Sequence, residues 1–303
     1  MSNLKKSSRT KPQTWGNNWT EDKLSAFTKY VNAYLTIMDT NKSKYGWKTL
    51  YFDGFAGSGD LKKKGNATTE AVSPLLLELG IGEAETKVYK GAAERILSLQ
   101  KKFDYYYFID LNGESLKRLE DKLSSFHMDN RLVFREGCAN ENIKKLANAL
   151  KKDKKLKALV LLDPFGMQIN WESIELLRNT ASDVWILIPS GVIINRLLEK
   201  NGELKHINKL CSFFGMTEEE IRQAFYSENV TQTLFGEETK TQKVQKPIRK
   251  ITDLYIKRLQ TVWTNVTPEP LIMKNKMNVE IFHFAFASNN KVGLNIAKEI
   301  IRK

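Results

Sequence analysis

The fold is decided by residues 47–59, which read Trp-Lys-Thr-Leu-Tyr-Phe-Asp-Gly-Phe-Ala-Gly-Ser-Gly. The first six residues form a mainly apolar run that is typical of a buried strand, and a glycine-containing loop follows directly at Asp53. Gly57 and Gly59 carry no side chain, so a ligand can approach the backbone closely. A carboxylate at Asp53, where the strand ends, suits a cationic or hydroxyl-bearing group. The stretch therefore predicts a ligand-binding loop at the carboxyl end of a strand.

Three other interpretations of this loop compete. A nicotinamide-binding fingerprint needs a third glycine three positions after Gly59, where this chain has Lys62. A phosphate-binding P-loop needs Gly-Lys followed by Ser or Thr, and that sequence is absent here. A tight turn that binds no ligand remains the third alternative.

Strands and helices alternate outward from the loop. The predicted strands are 47–52, 105–109, 131–135, 158–162 and 183–188. The predicted helices are 20–39 with Thr20 as its cap, 91–101, one lined by Leu116 to Phe126, 141–151, and one that begins near Trp171. Five alternations predict right-handed crossovers and a mostly parallel sheet with helices on both faces, which is a doubly wound α/β fold.

The C-terminal part of the chain refines this prediction. Residues 270–274 and 280–287 are predicted to form two antiparallel strands, followed by a last amphipathic helix. An antiparallel pair that closes a parallel sheet is typical of the seven-stranded, class I methyltransferase-like variant. We therefore expect a basic flexible arm at 1–19, an α/β core at 20–199, a helical insertion at 200–265, and completion of the core by 266–303.

Polar residues at the predicted strand ends are the candidate site. Asp110 ends the second strand, where an acid can accept hydrogen bonds from ribose hydroxyls, although it could instead cap the next helix. Cys138 and Asn140 follow the third strand, where small residues would leave room for an adenine. Asp163-Pro164-Phe165-Gly166 ends the fourth strand, either as a simple turn or as a partial match to the Asp/Asn-Pro-Pro-aromatic motif of nucleic-acid amino-methyltransferases. Phe165 or Trp171 is expected to supply a stacking surface.

Composition bounds the class of partner. The 303-residue chain carries a formal net charge of +13, which favours an anionic partner such as nucleic acid, although a lysine-rich surface without such a partner is the alternative. Two cysteines, three scattered histidines and no Cys-X-X-Cys argue against a zinc, iron–sulfur or histidine-based metal site. The absence of a long apolar run or an N-terminal apolar region leads us to expect a cytoplasmic protein and no membrane partner.

The chain resembles the three-Cys-motif partner family of methyltransferase-like proteins. The resemblance covers nearly the whole sequence and rests on the early helix 24–35, on 51–59, on Phe108-Ile109-Asp110, on 161–166 with Trp171, and on the final strand 282–288 with its helix. It implies a class I methyltransferase fold, S-adenosylmethionine binding, and a partner protein with a three-cysteine motif of the radical iron–sulfur type.

These observations together predict an S-adenosylmethionine-dependent methyltransferase that acts on nucleic acid or a nucleotide. A non-catalytic binding partner and a metal-dependent nuclease using Asp53, Asp110 and Asp163 are the alternatives. The expected catalytic residues are Asp163, Pro164 and Phe165, and no metal ligand is expected. The expected cofactor-binding residues are Asp53, Gly54, Phe55, Ala56, Gly57, Gly59, Asp110, Leu111, Cys138 and Asn140.

Overall fold

A computed structural model describes residues 18–58, 91–128, 130–234, 236–275 and 277–302. Of the arm predicted at 1–19, residues 1–17 lie outside the described residues, as do Gly59 and residues 60–90, whereas Asn18 and Trp19 belong to the first helix and are not part of a flexible arm. Among the helices that the structure does describe, none is both long and apolar enough to cross a membrane.

Five parallel strands form the main part of the sheet. They are β1 (Lys48–Asp53), β2 (Tyr105–Asp110), β3 (Leu132–Glu136), β4 (Leu156–Leu162) and β5 (Ser182–Ile188). Their spatial order is β3-β2-β1-β4-β5, and each neighbouring pair is parallel. The strand order reverses at β1, because β2 and β3 lie on one side of it and β4 and β5 lie on the other. In such sheets ligands bind outside the carboxyl ends of the strands at this reversal.

Antiparallel strands close the sheet beyond β5. The long strand β10 (Glu280–Ser288) pairs antiparallel with β5. On its other side β10 pairs with two short strands, β8 (Asn265–Val266) and β9 (Leu271–Lys274). Residues 268–270 separate these two and read Pro-Glu-Pro, and proline has no N–H to donate to a ladder. β8 and β9 thus form one interrupted edge strand, so the sheet has seven positions and the predicted class I methyltransferase-like fold is confirmed.

Helices cover both faces of this sheet. They are α1 (Asn18–Tyr45), α2 (Ala92–Leu97), α3 (Gly113–Leu123), α4 (Ala139–Lys152), α5 (Trp171–Glu175), α6 (Asn195–Leu197), α7 (Ile207–Phe214), α8 (Glu218–Phe225), α9 (Pro247–Gln260) and α10 (Lys291–Arg302). One apolar cluster lies under α4, α5, α7, α8 and α9, and another, rich in aromatic rings, lies under α1, α2, α3 and α10. The sheet therefore has buried residues on both faces, as the continuous apolar runs of its strands require.

Two helices have boundaries that differ from the sequence predictions. Thr20 does not cap the first helix but lies buried inside it, because α1 begins at Asn18 and the apolar face already includes Trp19. The same helix continues past residue 39 and ends at Tyr45, and Gly46, which follows it, has a left-handed φ of 63° that suits glycine. The helix predicted at 91–101 is shorter, since α2 ends at Leu97.

The segment 200–265 is helical only in part. It contains α7, α8 and α9, and Thr217 and Glu220 form the expected capping box at the start of α8. Between α8 and α9, however, the structure has an antiparallel hairpin of β6 (Tyr226–Thr233) and β7 (Gly236–Lys243). Its strands are polar and largely exposed, so they lack the alternation of apolar residues by which sequence analysis detects a strand.

Candidate functional site

Three acidic residues lie at the carboxyl edge of adjacent strands. Asp53 is the last residue of β1, Asp110 is the last residue of β2, and Asp163 directly follows β4. Because β1 pairs with both other strands, Asp53 is the central member of the three. The structure thus brings together the three carboxyl groups that sequence analysis selected.

The carboxyl group of Asp53 is buried, and its pKa is well above the usual value for an aspartate. It accepts hydrogen bonds from the hydroxyl of Tyr51 at 3.1 Å and from the N–H of Phe55 at 3.2 Å. Burial raises the pKa of Asp53 from 3.8 to about 7, and the negative charges of Asp163 and Asp110 act in the same direction, against the two hydrogen bonds. A cation placed beside this group would favour its ionised form.

The loop after β1 is held by backbone hydrogen bonds to both neighbouring strands. The N–H of Gly54 donates to the carbonyl of Leu161 at 3.0 Å, and the N–H of Ala56 donates to the carbonyl of Ile109 at 2.9 Å. A Cβ atom at Gly54 would lie 3.0 Å from the Leu162 side chain, and Gly57 has a left-handed φ of 60°. The loop therefore bridges the carboxyl ends of β2 and β4 and needs glycine at both positions.

Asp110 anchors the loop to the next helix. Its Oδ2 accepts from the N–H of Gly57 and its Oδ1 accepts from the N–H of Asn112, each at 2.8 Å. The helix cap predicted as an alternative role of Asp110 belongs instead to Asn112, whose side chain accepts from the N–H of Ser115. Each carboxylate oxygen of Asp110 retains a second lone pair for a ligand hydroxyl. Leu111, the next residue, is largely exposed.

Asn140 connects the β3 and β4 ends of the site. Its Nδ2 donates to the carbonyl of Gln168 at 2.8 Å, and its Oδ1 accepts from the N–H of Asn170 at 2.9 Å. Both halves of the amide are therefore engaged with the loop after β4. Cys138, two residues earlier, is half-buried, and its Sγ lies 3.6 Å from the same Nδ2.

Lys23 of α1 is a part of the site that sequence analysis missed. Its Nζ lies 2.8 Å from Oδ1 and 2.6 Å from Oδ2 of Asp163, and both residues are buried. The same Nζ lies 5.8 Å from the centre of the Trp19 ring. The available signal was the position of Lys23 on the apolar face of α1, between Trp19 and Phe27 at helical spacing. A lysine in such a stripe needs a buried acid as its partner.

The two aromatic residues proposed for stacking differ in their surroundings. Phe165, two residues after Asp163, is 45% exposed. Trp171 is fully buried, with the Tyr255 ring edge-on at 5.7 Å and the Arg258 guanidinium 4.6 Å from its own ring centre. The prediction that Trp171 offers a stacking surface is therefore wrong, because α9 packs over it. Its ring stabilises the packing of α9 instead.

The described residues hold no cluster of three or more histidine, cysteine, aspartate or glutamate side chains arranged to bind a metal ion. The nuclease alternative needs Asp163 as a metal ligand, but the ammonium group of Lys23 already lies against both oxygens of Asp163.

Comparisons with known proteins give structural similarity at low sequence identity. No family model matches the chain, and no curated protein matches it. A DUF519-family protein from Legionella pneumophila is similar over 92% of this chain and 99% of its own, with 13% identity and a TM-score of 0.40. A Listeria monocytogenes protein assigned as an S-adenosylmethionine-dependent methyltransferase is similar over 82% and 93%, with 13% identity and a TM-score of 0.36. A Clostridium thermocellum protein assigned as an rRNA methylase covers 69% and 96%, with 11% identity and a TM-score of 0.25. The fold assignment rests on the strand order, and the three-Cys-motif partner family is not shown.

Proposed function

We propose that this chain is an S-adenosylmethionine-dependent methyltransferase whose acceptor is an amino group of a nucleic acid or nucleotide. The observation that carries the proposal is the set of three acids at the carboxyl ends of β2, β1 and β4, where the strand order of a seven-position sheet reverses, around a loop whose conformation favours glycine. The net charge of +13 supports an anionic acceptor molecule.

The residues of the β1 and β2 ends fit the two polar parts of this cofactor. Asp53 would lie near the positively charged methionine part, since its raised pKa falls when a cation approaches. Gly54, Phe55, Ala56 and Gly57 would contact that part through their backbone carbonyl groups, because their N–H groups already donate within the protein, and Gly59 is assigned to the same loop. Asp110 would accept hydrogen bonds from the ribose hydroxyls through its remaining lone pairs.

The adenine would lie between the ends of β2 and β3. Leu111 offers an exposed apolar side chain there, and Cys138 offers a small one. Asn140 would act by fixing the loop after β4, because both ends of its amide are already engaged.

The acceptor would bind beside Asp163. The cofactor supplies an electrophilic methyl group on a sulfonium, so the protein has mainly to position the nucleophile in line and exclude water. Asp163 would accept a hydrogen bond from the acceptor amine, together with the carbonyl of Pro164, while the ammonium of Lys23, which lies against both oxygens of Asp163, fixes the direction of its carboxyl group. The exposed ring of Phe165 would stack on the base.

Isothermal titration of S-adenosylmethionine tests the cofactor part of the proposal. Asp110→Ala should weaken binding at least tenfold, and Asp110→Asn should weaken it less, because an amide oxygen can still accept one of the two backbone hydrogen bonds. Asp121→Ala, which removes an exposed carboxylate of α3, is the matched control. Unchanged affinity in Asp110→Ala would refute the ribose assignment.

A second candidate function is a non-catalytic binding partner of a three-Cys-motif protein. The observation that favours it is the ion pair of Lys23 with Asp163, which occupies the acceptor that catalysis would use. Transfer of labelled methyl groups to RNA, DNA and the neighbouring protein separates the two functions. Label in none of these fractions, despite cofactor binding, would favour the non-catalytic role.

A further inference from the structure

A second charged surface lies at the opposite edge of the sheet from the candidate site. It is formed by the three chain segments that lead into β1, β2 and β4, including the last residues of α1 and α4 and the first residues of β1 and β4. We name it the amino-edge surface. Its residues are 42–48, 101–104 and 151–157. These segments contain ten lysines and two aspartates, so they account for +8 of the formal net charge of +13. The excess positive charge of the chain is therefore concentrated rather than spread evenly.

Direct contacts hold the three loops together. The N–H of Lys48 donates to the carbonyl of Lys155 at 3.0 Å, and a Cβ atom at Gly46 would lie 3.7 Å from the Nζ of Lys155. Asp104 accepts from the N–H of Thr49 at 2.8 Å, which joins the loop before β2 to the start of β1. The lysines are thus neighbours in space, and their charges act on one surface.

Few of these lysines are neutralised within the described residues. Lys42 pairs with Asp104, and Lys101 pairs with Asp39 at 3.5 Å. The other lysines of the surface form no ion pair within the part of the chain that the structure describes: Lys44, Lys48, Lys102, Lys151, Lys152, Lys154, Lys155 and Lys157. Like charges held this close repel one another and destabilise the fold unless an anion lies among them.

Helix ends explain only part of this cluster. Lys42 and Lys44 lie in the last turn of α1, and Lys151 and Lys152 lie in the last turn of α4, where cations interact favourably with the helix dipole. Residues 154–157 and Lys48 lie beyond these helices, so the dipole does not account for them.

Aromatic rings are interleaved with the lysines. The rings of Tyr45 and Trp47 stack with centroids 4.9 Å apart, and Tyr45 is 46% exposed. The Nζ of Lys44 lies 5.1 Å from the Tyr45 ring, and the Nζ of Lys157 lies 5.1 Å from the Trp47 ring. Lysines that contact phosphates beside rings that can stack on bases are the usual means of binding nucleic acid without sequence preference.

We propose that the amino-edge surface binds the phosphate backbone of a nucleic-acid polymer at a place separate from the candidate active site. An anionic membrane is disfavoured because, among the large apolar side chains that are exposed in the described residues, Tyr45 lies on this surface and Tyr105 lies directly after its segment 101–104, and both end in a hydroxyl group. Peripheral membrane binding needs apolar groups that insert. Lys48 and Asp53 lie at opposite ends of β1, about 17 Å apart at ~3.3 Å per residue. A free nucleotide cannot extend from the candidate active site to the amino-edge surface, whereas a nucleic-acid polymer can.

Fluorescence polarisation with a labelled 30-nucleotide RNA tests the inference. Replacing Lys151, Lys154 and Lys155 together by Gln should weaken binding at least tenfold at 100 mM salt. The slope of log affinity against log salt should fall by about 2, since each lost phosphate contact on a single strand removes ~0.7. Replacing the same three by Arg should retain binding. The matched control replaces the exposed lysines Lys200, Lys209 and Lys240 by Gln, and its affinity should stay within twofold of wild type.

Several outcomes would overturn the inference. One is an equal loss of RNA affinity in the amino-edge Gln triple and in the control Gln triple, and another is an unchanged RNA affinity in the amino-edge triple. A third is an amino-edge triple that no longer binds phosphatidylserine vesicles but still binds RNA. All of the replaced side chains are exposed, and circular dichroism verifies that each variant is folded. The inference stands without methyl transfer, because Asp110→Ala should lose S-adenosylmethionine binding while retaining RNA binding.

Discussion

Replacing Asp53 by Asn removes a buried carboxyl group whose pKa burial raises from 3.8 to about 7. The N–H of Phe55 donates to Oδ1 of Asp53 and the hydroxyl of Tyr51 donates to Oδ2, so in an asparagine the amide oxygen can keep the bond from Phe55 while the amide NH2 donates to the Tyr51 hydroxyl oxygen. We therefore expect Asp53→Asn to increase the free energy of unfolding, and to do so more at high pH than at low pH. Such a gain in stability is expected where a residue is retained for function although burial disfavours its ionised form.

The sign and size follow from proton linkage. Below pH 3.8 the carboxyl is protonated in both the folded and the unfolded chain, and its titration contributes nothing. Between pH 3.8 and 7 the unfolded chain releases the proton first, so the wild-type free energy of unfolding falls as pH rises. Each pKa unit corresponds to ~1.36 kcal/mol, so the full effect of Asp53 above pH 7 is about 4 kcal/mol.

Urea unfolding of wild type and Asp53→Asn, monitored by circular dichroism at pH 5 and pH 8, measures this effect. The stability gain of the variant should be about 2–3 kcal/mol larger at pH 8 than at pH 5. Any pH-independent loss of hydrogen bonding to the new amide cancels in that difference. Asp121→Asn, at an exposed position of α3, should show no such pH dependence. A gain that is the same at both pH values would refute the protonation equilibrium inferred for Asp53.

Three further predictions concern the same region and the strand that closes the sheet. Lys23→Met should destabilise the fold by ~3–5 kcal/mol in urea unfolding, because it removes the ammonium group that lies against both oxygens of the buried Asp163, and adding Asp163→Asn should recover part of that loss; a double variant less stable than the single one would contradict this. Binding of S-adenosylmethionine at pH 7 should release a proton from Asp53, so the calorimetric heat should depend on the ionisation enthalpy of the buffer; equal heats in phosphate and Tris would argue against it. Gly191→Ala should lower the melting temperature, because the new Cβ would lie 2.0 Å from the carbonyl oxygen of Glu280, and an unchanged value would show that β10 shifts freely.

The sheet and its acids could be predicted from sequence because the information is local. Each parallel strand is a continuous apolar run, and Asp53, Asp110 and Asp163 end or directly follow such runs. Parallel strands place their carboxyl ends on one edge, so three separate motifs become one site without further knowledge of the packing.

The remaining features depend on contacts that no local pattern contains. Lys23 lies 140 residues from Asp163 in the chain, and its pairing follows from where α1 packs. Asn140 is directed to Gln168 and Asn170 by the mutual position of two loops. The hairpin of β6 and β7 is stabilised by backbone pairing between polar strands, for which hydrophobic periodicity gives no signal.

Helix α1 has a consequence for the order in which the chain can fold. Three of its polar side chains bind acids that are made much later: Lys42 binds Asp104, Lys23 binds Asp163, and Tyr30 donates to Asp183 at 2.6 Å. These partners are 62, 140 and 153 residues further along the chain. Contacts of such long sequence separation form late and slow the folding reaction. During synthesis α1 is therefore among the first helices to leave the ribosome and among the last to reach its native packing.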